Sequence, residues 1–128
     1  MRLLLDTHVI IWAASRPERL GRWHDAVVQA DRRWMSAAST WELALKAGLG
    51  KLDLGMDVGA WTTRAVEQLQ LTPLDIRAGH AAAVQHLPPV HRDPFDRLLI
   101  ATARLEGAVL LTADRALAAY GRPVEVID

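Results

Sequence analysis

Two short apolar runs without a polar break, RLLL at residues 2–5 and AVLLT at 108–112, constrain the fold of this chain more than any other feature. A strand with one wet face alternates apolar and polar residues. A continuous apolar strand is covered on both faces, as in a parallel sheet with helices above and below. A third strand of this kind, VEVI, is expected at 124–127, with shorter strands RWMS at 33–36 and LTPL at 71–74.

Helical patterns fill the spaces between these strands. HVIIWAAS (8–15) reads as a short helix that ends near Pro17. In 17–31, Leu20, Trp23, Val27 and Ala30 recur at helical spacing, with Gly21 as a weak point. STWELALKAG (39–48) is expected to start on Ser39 as N-cap and stop at Gly48, and 51–57 reads as a linker. Asp57 caps a helix over 58–70, and another helix is expected over 75–87. PPVHRD (88–93) is a rigid loop, and Asp93 with Pro94 opens the most apolar helix, 94–107. Helices and strands alternate without a fixed repeat. The expected fold is therefore three-layer α/β, with a mainly parallel central sheet flanked by helices.

The 128 residues fit one domain, 1–128, large enough to bury about two-thirds of its unfolded surface. No apolar run approaches the ~18 residues of a membrane span, and no secretion signal is recognisable. A cytoplasmic protein is expected. There are no cysteines, so any metal must take oxygen or nitrogen ligands. The 15 basic and 15 acidic residues balance, which alone neither favours nor excludes a nucleic-acid partner.

Four acids break the apolar pattern. Asp6 and Asp114 each follow an apolar strand, whereas Glu42 and Asp96 each stand in the first turn of a helix. Each has an ordinary explanation as a cap. Asp6 and Asp114 suit N-caps, Glu42 completes an S-x-x-E capping box with Ser39, and Asp93 caps the helix that carries Asp96. Asp96, however, shares its helix face with Leu99, Ile100 and Ala103, so it points toward the core. In an open parallel sheet, strand carboxyl ends and helix amino ends meet on one edge, where ligands bind. Two bare carboxylates at ~4 Å repel by roughly 4 kcal/mol at an effective dielectric near 20, so such a cluster calls for shared protons or cations. All-oxygen ligation suits Mg²⁺ or Mn²⁺, an arrangement for phosphodiester hydrolysis.

Four stretches in this order, LLLDTHVIIW, SAASTWELALKAGLGKL, HRDPFDRLLIATA and LLTAD, resemble the PIN-domain ribonucleases, most closely the VapC-type toxins of bacterial toxin–antitoxin pairs. The resemblance covers nearly the whole chain. It implies a PIN-like sandwich in which Asp6, Glu42, Asp96 and Asp114 form the catalytic, metal-binding quartet, with Asp93 supporting them through water. It also implies Mg²⁺- or Mn²⁺-dependent cleavage of single-stranded RNA, a homodimer, and inhibition by a VapB-like antitoxin.

Around the quartet, Thr7 and Thr112 flank the first and fourth acids and are expected to orient a carboxylate or water. Ser39 is expected to combine capping with support of the site. Lys46, one turn beyond Glu42, reads first as an i,i+4 ion pair and second as a phosphate contact. Arg92, Arg97 and Arg115 neighbour site acids and are candidate RNA contacts. The five histidines show no H-x-x-x-H or H-E-x-x-H spacing, and no histidine metal site is expected. Trp12, Trp41 and Trp61 read as core or dimer surface, with base stacking open to one of them.

Two rival classes make different demands. A haloacid-dehalogenase-type phosphotransferase wants a second acid two residues after the first, where His8 stands, and a receiver domain wants a late lysine, whereas both lysines precede residue 52. A non-catalytic interaction module, with every acid a helix cap, predicts that divalent metal changes nothing.

Overall fold

The fold is described from a computed structural model, whose described residues are 1–127. Five parallel strands form one sheet in the order β3-β2-β1-β4-β5. They are β1 (Arg2–Leu5), β2 (Arg32–Ser36), β3 (Thr72–Leu74), β4 (Val109–Thr112) and β5 (Val124–Val126). All four pairings are parallel, with Leu4 opposite Trp34 on one side and Leu110 on the other.

The unbroken apolar strands do what their composition predicts. Leu3 and Leu5 point into a core with Val9, Ile10, Leu43 and Leu111, whereas Leu4 and Leu110 point into a second core with Leu99, Ile100 and Leu117. All three leucines of β1 are fully buried. Each contributes about 2 kcal/mol of transfer free energy, so one short strand nails both helical layers to the sheet. Helices α1 (Thr7–Ser15), α2 (His24–Gln29) and α4 (Val58–Leu69) pack on the first face. Helices α5 (Ala78–Ala83) and α6 (Pro94–Glu106) pack on the second. Helix α3 (Ala37–Gly48) starts at the carboxyl edge and touches both α4 and α6.

Several boundaries differ from the sequence reading. The helix expected over 17–31 is a 3₁₀ segment, Pro17–Trp23, followed by the short α2. Gly21 breaks it, with φ 54° and ψ −130°, a conformation that glycine adopts without steric cost. The helix expected over 75–87 shrinks to α5 and a 3₁₀ turn, Val84–His86, because its amino end is fixed late: buried His80 accepts the Arg77 N–H through Nδ1 (3.1 Å). Ser39 is not an N-cap. Ser36, the last residue of β2, caps α3 by accepting the Ala38 N–H (3.0 Å), so strand passes into helix without a loop and Ser39 is carried inward. The other ends fall within two residues of expectation. Asp57 caps α4, Asp93 caps α6, and Gly107 ends α6 in the left-handed conformation.

Among the described residues, no helix is long and apolar enough to cross a membrane.

Candidate active site

Strand order reverses at β1: β2 and β3 lie on one side of it, β4 and β5 on the other. That makes the carboxyl end of β1 a topological switch point, where a crevice opens at the sheet edge. Asp6 directly follows β1, Asp114 follows the adjacent β4, Glu42 rises from α3 after β2, and Asp96 sits in the first turn of α6. All four line one cleft of about 350 Å³, together with Asp93, Lys46, His8 and Trp12.

The acids are held by different means. Asp6 is only 5% exposed, and its side chain makes no capping bond to α1, so the N-cap explanation fails for it. Its Oδ2 accepts the hydroxyl hydrogen of buried Thr112, whose oxygen in turn accepts the Asp114 N–H (3.1 Å). Glu42, 6% exposed, does not fold back on Ser39 as a capping box. Its Oε1 accepts from Thr7 Oγ1 (2.7 Å) and its Oε2 from Lys46 Nζ (2.7 Å). Ser39 Oγ stands 2.9 Å from the same Thr7 oxygen, so the two hydroxyls share the support of Glu42.

Asp93 and Asp114 do cap helices. Asp93 Oδ1 accepts from the Phe95 and Asp96 amides (2.8 and 3.1 Å), and Asp114 Oδ1 accepts from Ala116 N (2.9 Å). Each also lines the cleft, so capping and site membership coexist.

The electrostatics are those of crowded carboxylates. Burial raises the Asp6 pKa, with help from the Glu42 charge and against the Thr112 hydrogen bond. Burial and the Asp6 charge lift Asp96 to about 6, opposed by its bond to His91. Lys46 is raised by its bond to Glu42. One ammonium does not neutralise this group. The donor set is mostly carboxylate oxygen, and burial together with mutual repulsion makes the charged forms of Asp6 and Asp96 harder to keep without a further positive charge. Such a set fits a hard divalent cation.

Sequence reasoning missed the histidine. His91 Nε2 lies 2.8 Å from Asp96 Oδ2, and donor atoms of His91, Asp96 and Asp114 all fall within 4.8 Å of one another. The sequence reading judged the histidines by paired spacing and did not single out His91, which the structure places in a group that could hold a metal ion. Spacing templates look for two histidines on one helix, whereas here a loop residue reaches a helix that begins three residues later. His8 and Trp12, one helical turn apart on α1, wall the cleft, and Arg19 lies 4.2 Å over the Trp12 ring. Trp41 is 57% exposed and meets Phe95 edge-on, and Trp61 is partly buried against the core.

Of the basic candidates, Lys46 forms the expected ion pair within the cleft. Arg92 and Arg115 are exposed and stand outside the cleft lining. Arg97 departs from expectation. Its guanidinium bonds the carbonyls of Val84, Leu87, Pro88 and His91 and the Tyr120 hydroxyl, which commits it to the loop before α6 instead of to phosphate.

The PIN domain family matches residues 3–123. Ribonuclease VapC22 from Mycobacterium tuberculosis (strain ATCC 25618 / H37Rv) is 34% identical over 123 residues, covering 94% of this chain and 93% of that protein. Among solved structures, VapBC2 from Rickettsia felis bound to a DNA fragment from their promoter superposes with a TM-score of 0.74 at 17% identity, over 100% of both chains. FitAcB from Neisseria gonorrhoeae gives 0.64 at 25% identity, over 98% of this chain and 96% of that one. A continuous match of this extent, on a sheet whose switch point gathers the four acids, places the chain in the PIN-domain family, among its VapC-type members.

Proposed function

We propose that this chain is a metal-dependent endoribonuclease toxin that hydrolyses phosphodiester bonds in single-stranded RNA. Asp6, Glu42, Asp96 and Asp114 are its catalytic acids, and residues 1–128 act as one nuclease domain. The observation that carries the reading is the burial of Asp6 and Glu42 beside Asp96 in one open cleft. Uncompensated carboxylates are costly there unless a cation completes them.

A divalent cation, Mg²⁺ or Mn²⁺, would supply charge neutralisation at the attacked phosphate and an activated water. The chain's own residues do the rest. Thr112 fixes the Asp6 carboxylate and the Asp114 backbone as one unit, while Thr7, Ser39 and Lys46 set the orientation of Glu42. Asp93 keeps α6 capped, so that Asp96 enters the cleft from a rigid first turn.

The VapBC complexes among the structural neighbours support a VapB-like antitoxin as partner. A homodimer and a cytoplasmic setting complete the reading. The capping-only interaction module is disfavoured, since Asp6 and Glu42 cap nothing.

The test is cleavage of a labelled single-stranded RNA with Mg²⁺, Mn²⁺ or EDTA, beside folded Asp6→Asn and Asp96→Asn variants. Cleavage that needs metal and vanishes in both variants supports the reading. Cleavage that survives EDTA or both substitutions sinks it.

A further inference from the structure

The loop before α6 is built with more care than a connection requires. Pro88 and Pro89 stiffen it, and the Arg97 guanidinium ties the carbonyls of Leu87, Pro88 and His91 to the helix that follows. The outcome is that the His91 ring is held with Nε2 2.8 Å from Asp96 Oδ2, on a carboxylate that lines the cleft.

Resting on the metal-dependent reading above, we propose that His91 is a ligand to the cation of this cleft. It is the nitrogen donor of a mixed set with Asp96 and Asp114, and it biases the site toward Mn²⁺-like transition ions over Mg²⁺. Three observations carry this. First, two donors bound at about 2.1 Å to one ion at right angles stand about 3 Å apart, so the separation held between His91 and Asp96 suits a shared ion as well as a shared proton. Second, Asp114 offers a third donor atom within 4.8 Å of both, and it follows β4, a different element from the loop and helix that carry the other two. Third, the Arg97 clamp gives the loop the fixed geometry that a ligand needs and a surface histidine does not. His8 lines the cleft but stands outside this donor cluster.

The chemistry then sets the preference. Mg²⁺ takes oxygen ligands and water, whereas affinity for imidazole rises along the first-row transition series. A lone nitrogen among carboxylates therefore favours the transition ion.

The experiment uses the full chain, titrated calorimetrically with Mn²⁺ and with Mg²⁺, and pulsed EPR of the Mn²⁺-loaded protein. Wild type is compared with His91→Gln and His8→Gln, each checked for folding by circular dichroism. The expected result is nitrogen coupling to Mn²⁺ in wild type and His8→Gln that disappears in His91→Gln. Mn²⁺ affinity should fall ~10-fold or more in His91→Gln, with Mg²⁺ affinity changed by less than ~3-fold. Mn²⁺ binding without nitrogen coupling in wild type overturns the assignment of His91 and leaves the metal-dependent reading intact. Coupling that survives in His91→Gln and is lost in His8→Gln also overturns it. No Mn²⁺ or Mg²⁺ binding by wild type overturns the metal-dependent reading, and this assignment with it.

Discussion

Thr112 joins two acids that lie 108 positions apart in the chain: its hydroxyl donates to Asp6 Oδ2 and accepts the Asp114 N–H. Thr112 is fully buried at the end of β4, and its hydroxyl serves both acids from inside the fold. Thr112→Val keeps the shape and removes both bonds. The expected cost is about 1–3 kcal/mol, because a buried carboxylate loses its one side-chain donor. RNA cleavage should fall more than stability alone explains, and Thr112→Ser should restore most of both. Urea unfolding alongside single-turnover cleavage of RNA would check this. A Thr112→Val protein with wild-type activity would remove Thr112 from the support of Asp6.

Asp96 makes the metal-free protein sensitive to pH. Its folded pKa of about 6 lies above the ordinary value of 3.8. A group raised in this way contributes stability that is fully present below the unfolded value and is lost as pH rises through the folded one. Metal-free protein should therefore lose stability between about pH 4 and pH 7. The loss attributable to Asp96 is roughly 2 kcal/mol, allowing for solvent screening at the cleft mouth. Asp96→Asn should flatten that slope and raise the melting temperature at pH 7.5 by several degrees. Buried Asp6, raised for the same reason, adds to the slope in the same direction. Thermal unfolding in EDTA from pH 4 to 8 measures it, and a profile that rises with pH would contradict the crowding described here.

Residues whose role follows from chain-local physics were legible in the sequence. The apolar runs of β1 and β4 announced a sheet covered on both faces, and the D-P opening of α6 announced its cap. Asp96 was legible because three apolar neighbours fixed the direction of its face. Ser39 was misjudged because Ser36 competes for the same role, and only the register of β2 decides where the strand yields to the helix. His91 and Arg97 were out of reach for the same reason. Their partners are loop carbonyls and a carboxylate brought near by the path of the 84–93 segment, which no periodicity encodes.

Lys46 stands between stability and chemistry. Its ammonium is the nearest cation to Glu42, a carboxylate that is otherwise held by the Thr7 hydroxyl. Lys46→Met keeps the stem packed and deletes the charge. In EDTA the variant should be less stable than wild type by about 1–2 kcal/mol at pH 7.5, since Glu42 is left buried with one neutral donor. Adding Mn²⁺ should recover a larger share of stability in the variant than in wild type, because the cation then takes over compensation of the acids. Paired melting curves with and without Mn²⁺ decide this, and equal metal effects in the two proteins would show that Lys46 and metal act on separate charges.

Arg97 is expected to behave as a structural clamp and not as an RNA contact. Its guanidinium spans four carbonyls and the Tyr120 hydroxyl, a spread that a planar fork with five donors can satisfy and a point-charge ammonium cannot. Arg97→Lys should therefore cost nearly as much as Arg97→Ala, about 1–2 kcal/mol, as several partly buried carbonyls lose their donor together. Amide exchange should quicken in 84–93 while the β1 and β4 amides stay protected. Arg92→Ala and Arg115→Ala, on exposed residues, should leave stability within about 0.5 kcal/mol. If those two contact RNA backbone, they should also lower the salt dependence of RNA binding, which Arg97→Lys should leave unchanged. Hydrogen exchange by mass spectrometry and RNA binding across a salt series separate the two roles. A reduced salt slope in Arg97→Lys with unaltered loop exchange would return Arg97 to the RNA surface.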